Sequence, residues 1–272
     1  MKELRENSWL KNRGYLHITP KIDAQKFESK IIATVKNDRY VAKHSFFPLL
    51  HYIVKERRFK KIELNKRAHS FLDKKSNKHK KTEKLRPIHY ATHCDALIYG
   101  YYAELLQLKY EERLINQPGL SKCITAYRKV PHENECRNKN SIDFAKDAFA
   151  EIKQLAQIDV CCALKFDVKS FFSSLDHNHL KLAWSDIIGK EMLPDSHLNV
   201  YKAVTNFSYI LLDDLRVSQV KKGRRAGFNE KKLAENRKRG INAFFGSVKE
   251  FREKVKNKEL SIYKNPFRHP KS

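Results

Sequence analysis

The sequence is short of acid. It has 31 Asp and Glu against 56 Lys and Arg in 272 residues, a formal net charge of +25 at pH 7. It also has no apolar run near the ~20 residues that a membrane-spanning helix needs, which excludes a helical span. Its opening, Met1-Lys2-Glu3-Leu4-Arg5, lacks the apolar stretch of a secretory signal. Its five cysteines, Cys94, Cys123, Cys136, Cys161 and Cys162, form no C-x-x-C pair, so zinc spacing is missing, and their odd number argues against a disulfide framework. We read a reduced, cytoplasmic protein with no membrane partner.

What is present is basic charge, unevenly placed. Residues 1–90 carry about +15 and residues after 220 about +12, leaving the middle near neutral. A surplus of this size points to a polyanion, most simply nucleic acid. A ribosome-like structural protein or a basic membrane-surface protein would share it. The length allows one large domain or two lobes.

In chain order, Ser45 is placed to cap a short helix through Ile53. Lys55-Glu56-Arg57-Arg58-Phe59-Lys60-Lys61 interleaves charge with an aromatic, as a nucleic-acid surface or a solvated helix face with Phe59 buried would. Residues 74–81 read as a basic loop, either a phosphate-seeking tip or a plain linker. A helix is expected over 95–114, with Gly100 allowing close backbone approach, and a short strand over 123–129. The apolar stripe Ile142, Ala145, Phe149, Ile152 and Ala156 predicts a helix packed under a sheet. Val160-Cys161-Cys162-Ala163-Leu164 reads as the buried strand of that sheet. Asp176 is placed to cap the next helix, where His177 and His179 point to different faces and suit no metal. A helix over 196–215 contains Leu211-Leu212-Asp213-Asp214. Ser247-Val248-Lys249-Glu250 signs another helix start, and the chain from Ile262 looks like a strand.

The stretch that organises the chain is Ala163-Leu164-Lys165-Phe166-Asp167-Val168-Lys169-Ser170-Phe171-Phe172-Ser173-Ser174-Leu175-Asp176. An apolar run that ends on a carboxylate suits metal-dependent phosphoryl transfer, and equally a helix cap. The order of residue types resembles motif A of reverse transcriptases, especially the bacterial group-II-intron, retron and defence-associated lineages. Lys84-Leu85-Arg86-Pro87-Ile88 is similar to the family's fingers strand, and Ala126-Tyr127-Arg128 to an element that precedes motif A.

The resemblance implies an α+β fold: right-hand polymerase fingers and a partial palm, helix-rich around a small antiparallel sheet. Its parts are a basic fingers region (1–83), fingers and fingers–palm helices (84–160), a partial palm (161–220) and a basic helical extension (221–272). It implies an RNA-directed DNA polymerase of antiviral-defence type that uses Mg²⁺, dNTPs, an RNA template and a DNA product. Asp167 would bind the metal with the Val168 carbonyl. Phe172 would exclude a ribose 2′-OH, or serve as ordinary packing. Arg86, with Lys84, would bind the triphosphate. Arg128 and Lys129, and the basic run Lys221, Lys222, Arg224 and Arg225, would grip nucleic acid, although Arg128 suits a plain surface role as well. Leu211-Leu212-Asp213-Asp214 fails as the family's paired-Asp motif because it lies in a helical period, and no Gln-Gly motif is present. Two readings stay open: half of a polymerase completed by a second chain, or a non-catalytic nucleic-acid-binding fragment or regulator.

Overall fold

The computed structural model describes residues 7–63, 66–73, 75–168, 171–218 and 226–266. It is a mixed α+β fold, as expected. In chain order come α1 (Glu28–Val35), α2 (Asp38–Lys43), β1 (Leu49–Arg57), β2 (Lys60–Glu63), β3 (Lys66–Ala68), β4 (Ser70–Asp73), β5 (Lys78–Lys81) and β6 (Glu83–Tyr90). Then follow α3 (His93–Ile115), α4 (Pro118–Cys123), α5 (Ser141–Ile158), α6 (His177–Ile187), α7 (Asp195–Thr205), β7 (Ser208–Leu211), β8 (Arg216–Ser218), β9 (Gly227–Phe228), α8 (Glu230–Lys238), α9 (Val248–Lys256) and β10 (Tyr263–Lys264).

The main sheet has the strand order β10-β7-β1-β6. It is mixed, not purely antiparallel: β7 runs parallel to β1 and antiparallel to β10. β1 and β6 pair antiparallel along their full length, from Leu50 opposite Tyr90 to Arg57 opposite Glu83. They leave the sheet as a two-stranded ribbon, and the small hairpins β2–β3 and β4–β5 branch from its far end.

Two cores hold this together. In the first, α1, α2, α3, α6 and α7 enclose Val41, Leu97, Ile98, Tyr102, Trp184 and Val200. Gly100 earns its place in α3: a Cβ there would meet the Trp9 Cβ at 3.2 Å. The second core covers one face of the sheet, where Leu50 and Ile210 are fully buried against Ile18, Phe245, Phe251 and Leu260.

Asp95 joins α3 to the start of β1. Its carboxylate, fully buried, accepts from His44 Nε2 at 2.7 Å and from the Phe47 backbone N–H at 3.0 Å. Thr92 caps the helix by accepting the Asp95 N–H at 3.3 Å. His17 ties the N-terminal segment to β6. Its Nδ1 accepts the Ile18 N–H at 2.8 Å, which leaves Nε2 to donate to the Tyr90 carbonyl at 3.0 Å. The ring is thereby fixed as the neutral Nε2–H tautomer. Burial lowers its pKa to about 4.

Several local expectations are overturned. The segment after Ser45 is strand β1, because Leu50 must alternate into the second core. Of the basic loop expected over 74–81, residues 78–81 are instead strand β5, paired to β4, and Lys74 lies outside the described residues. Residues 124–129 form no strand. Residues 206–215 are not helix: α7 ends at Thr205, Ser208–Leu211 is a sheet strand, and Leu212–Leu215 is a 3₁₀ turn. The aromatic and β-branched run Phe207-Ser208-Tyr209-Ile210 suits a half-buried strand, and pairing to β1 decides it. α5 forms, with Asn140 capping it, but buries no residue, so it does not pack under a sheet. Residues 160–168 form no strand either. Val160 is 98% exposed and Cys161 and Cys162 are exposed. The Asp176 and Ser247 caps form as expected.

Two predictions follow from these ties. Asp95→Ala leaves His44 and the Phe47 amide without their buried acceptor, and should lower stability by about 2–5 kcal/mol in urea unfolding. An unchanged midpoint would contradict the anchor. Second, between pH 6.5 and about 4 the unfolded chain takes up a proton at His17 that the folded chain refuses. The His17 contribution, on the order of 3 kcal/mol, is complete above pH 6.5 and lost as the pH falls towards 4. The melting temperature should drop through that window, and drop less in His17→Gln; a flat profile would refute the assignment.

Candidate nucleic-acid interface

The ribbon concentrates the charge. Residues 49–90 contain fourteen Lys and Arg against four Asp and Glu. Strand alternation sorts these side chains into two faces. One face carries Leu50, Tyr52, Val54 and Glu56 of β1 with Lys84, Arg86, Ile88 and Tyr90 of β6. The other carries His51, Ile53, Lys55 and Arg57 with Glu83, Leu85, Pro87 and His89.

Arg86 lies on the first face and pairs with Glu56 at 3.0 Å; Arg58 approaches the same carboxylate at 3.5 Å. Arg86, then Arg58, holds the Glu56 carboxyl below its usual range. Lys84 stands directly opposite Glu56 in register. Arg86 thus sits on an antiparallel strand of the ribbon with a carboxylate beside it.

The second face opens into a basic cleft of about 420 Å³ lined by Lys55, Arg57, His69, Ser70, Lys81 and Glu83. Thr82 lies between two of the lining residues, Lys81 and Glu83. It is 4% exposed; its N–H donates to the His69 carbonyl at 2.6 Å, and its carbonyl accepts from the Arg58 N–H at 3.1 Å. Its hydroxyl lies against the carbonyls of Arg58 and His69. One residue thus joins the ribbon to both hairpins. Beside it, the Phe59 ring lies tilted against His69, centres 3.7 Å apart, and remains 62% exposed, so the buried alternative for Phe59 does not hold.

Asp167 stands elsewhere, exposed, in a segment without regular structure. Among the described residues it makes no hydrogen bond or ion pair, and no group of three or more His, Cys, Asp or Glu side chains could hold a metal. Asp167 and the Val168 carbonyl alone do not make up the ligand set that Mg²⁺ chemistry needs. Phe172, in a short 3₁₀ turn, meets Tyr127 at 6.1 Å and Phe171 at 5.3 Å. Tyr127 holds a left-handed backbone, φ 60°, uncommon for a bulky residue.

Arg128 faces inward. Nε and Nη2 bind Glu111 at 2.7–3.2 Å, and Nη1 donates to the Ser121 and Ile124 carbonyls at 2.7 Å. Its side chain is 9% exposed, and its donors are engaged in holding α4 and the following turn to α3. In this arrangement Arg128 ties α4 and the turn after it to Glu111 of α3. Lys129 donates to Ser8 Oγ at 2.7 Å and lies 3.9 Å from Glu104, fastening the N-terminal segment to α3. Lys221, Lys222, Arg224 and Arg225 lie outside the described residues.

Asp213 and Asp214 follow a strand and sit at a turn, so a helix is not what sets them apart from a paired-Asp motif. Asp213 accepts from Arg216 Nε at 2.8 Å. Burial, then Asp213, raises the Asp214 carboxyl. The residues that sequence reasoning missed are His69 and Lys81 as members of one cleft with Lys55 and Arg57. The alternation Ile53-Val54-Lys55-Glu56-Arg57 was a strand signal; the pairing that closes the cleft was not.

No family model matches the chain, and no curated protein matches it.

If Arg128 is structural, Arg128→Ala should unfold more easily, by about 3–5 kcal/mol for a broken, largely buried pair, while the folded fraction keeps its affinity for nucleic acid. Weakened binding with unchanged stability would restore the gripping role.

Proposed function

We propose that this chain binds nucleic acid through the β1–β6 ribbon and its hairpins, a fingers-like element of reverse-transcriptase type. The observation that carries this reading is the cleft in which Lys55, Arg57, His69 and Lys81 converge on one ribbon face. Cations held on a sheet face need little reorganisation to meet successive phosphates, and a projecting ribbon reaches a polymer more easily than a recessed pocket does. RNA is the partner the resemblance favours.

Polymerisation is the second reading. It is favoured by the order of residues from Asp167 to Asp176 and by the approach of Phe172 to Tyr127. Such chemistry uses Mg²⁺ held by more than one carboxylate. Asp167 supplies one, so further ligands would have to come from a second chain, and no step is assigned to this chain alone. RNA-directed DNA synthesis by the chain with such a partner, abolished by Asp167→Ala, would establish it; synthesis that survives the substitution would remove Asp167 from the reaction.

The binding reading predicts a salt-dependent affinity for a 12-nucleotide RNA, measured by fluorescence anisotropy. Lys55→Ala/Arg57→Ala should weaken binding and reduce the slope of log K against log salt by about 1.4, two single-strand phosphate contacts. Unchanged affinity and slope would show that the cleft is not the interface.

A further inference from the structure

The face of the main sheet away from the second core carries a row of rings that crosses all four strands. Tyr263 of β10 lies opposite Tyr209 of β7, Tyr209 lies beside Leu49 at the start of β1, and His51 of β1 lies opposite His89 of β6. The ring centres follow one another closely. Tyr263 and Tyr209 stack at 5.5 Å, Tyr209 meets His51 at 5.3 Å and His89 at 5.0 Å, and His51 stacks on His89 at 4.3 Å. Phe207 closes the row, 5.0 Å from His89. The opposite face is filled by Leu50 and Ile210, whereas these rings are only partly covered, Tyr263 being 39% exposed.

Two further observations bear on what the row could receive. It opens at His89 and Phe207 into a cleft of about 520 Å³ that Arg13, Tyr15 and Tyr99 also line. Two of the buried nitrogens that find no partner among the described residues, Arg13 Nε and His89 Nε2, belong to residues of that cleft. Buried polar atoms of this kind call for a partner. The row also continues, on the same ribbon face, through Ile53 and Leu85 to the basic cleft of Lys55, Arg57 and Lys81. From His51 to Arg57 the strand covers about 20 Å.

We infer that this sheet face is a base-stacking platform for single-stranded nucleic acid, with unpaired bases against Tyr263, Tyr209, His51 and His89 and the phosphate backbone led into the basic cleft. The inference rests on the proposed nucleic-acid reading and specifies its substrate: a single strand, whose bases are free to unstack onto protein rings, rather than a duplex. Aromatic rings accept any base because every base has a π-face. Burial, and then the neighbouring His51, lowers the His89 pKa to about 4, so at neutral pH that ring is uncharged and acts by stacking. The cations needed for phosphates stand apart from it, further along the ribbon.

The test uses the full chain with a fluorescein-labelled U12 RNA and the same RNA annealed to A12. Wild type should prefer the single strand at least tenfold. Tyr209→Ala and Tyr263→Ala should each weaken single-strand binding roughly tenfold with an unchanged salt slope, and the Phe variants should restore it. Equal affinity for single strand and duplex, or Ala variants that bind like wild type, would overturn the platform while leaving the basic cleft as the interface. No salt-dependent binding by wild type to either RNA would overturn the underlying reading as well. A photocrosslink from 5-iodouridine in the RNA to wild-type protein removes any dependence on variant folding. Crosslinks at Tyr209 or Tyr263 support the platform, and crosslinks confined to other regions refute it.

Discussion

The buried carboxylate of Asp95 is the constraint on which the rest of the structure turns. It sits in the first turn of α3, yet its acceptors are used by His44 and by the Phe47 amide in the approach to β1. A buried carboxylate needs such partners, since an unsatisfied one would cost more than most single contacts provide. By satisfying it, the chain fixes where β1 begins relative to the long helix. β1 and β6 both run from the four-stranded sheet into the ribbon, and β1 is the one of the two that also pairs with β7. Its starting point therefore sets which residues alternate into the second core and which face outward with the basic and aromatic groups.

That division gives each strand two tasks. On the inner face Leu50 and Ile210 provide burial. On the outer face the same strands, one residue out of step, carry His51 and Tyr209, and then Lys55 and Arg57 beyond the core. A one-residue slip would exchange the two sets. The ribbon itself has little apolar burial. It is held by its ladder, by Thr82 at the branch point and by the Arg86–Glu56 pair, whose exposure limits it to a modest contribution. A surface so rich in one charge repels itself until anions gather on it.

Much of the architecture was legible in the sequence. The helical stripe around Gly100, the Asp176 and Ser247 caps and the basic flanks rest on local chemistry, and local chemistry decided them. The strands after Ser45 and after Asn206 were less legible, because Leu49-Leu50-His51-Tyr52-Ile53 and Ser208-Tyr209-Ile210-Leu211 form short apolar runs that fit helix or strand until a partner is chosen. Their pairing is long-range: residue 50 lies beside residue 210. The expected strand over 160–164 shows the converse. Its composition is that of a buried strand, but among the described residues no strand pairs with it, and its side chains stay exposed. Of the candidate site, the cationic stretches were legible as composition, while the cleft and the aromatic row appear only when the register is known.

The central claim is that one continuous face, from β10 across the sheet and out along the ribbon, receives a nucleic-acid strand. Hydrogen–deuterium exchange with and without a single-stranded RNA measures it most directly, because it reports every segment at once. Slower exchange in peptides covering residues 49–57, 66–73, 78–90 and 208–211 is the result this account predicts. Protection confined to α5 and residues 159–168, with the ribbon unchanged, would contradict it.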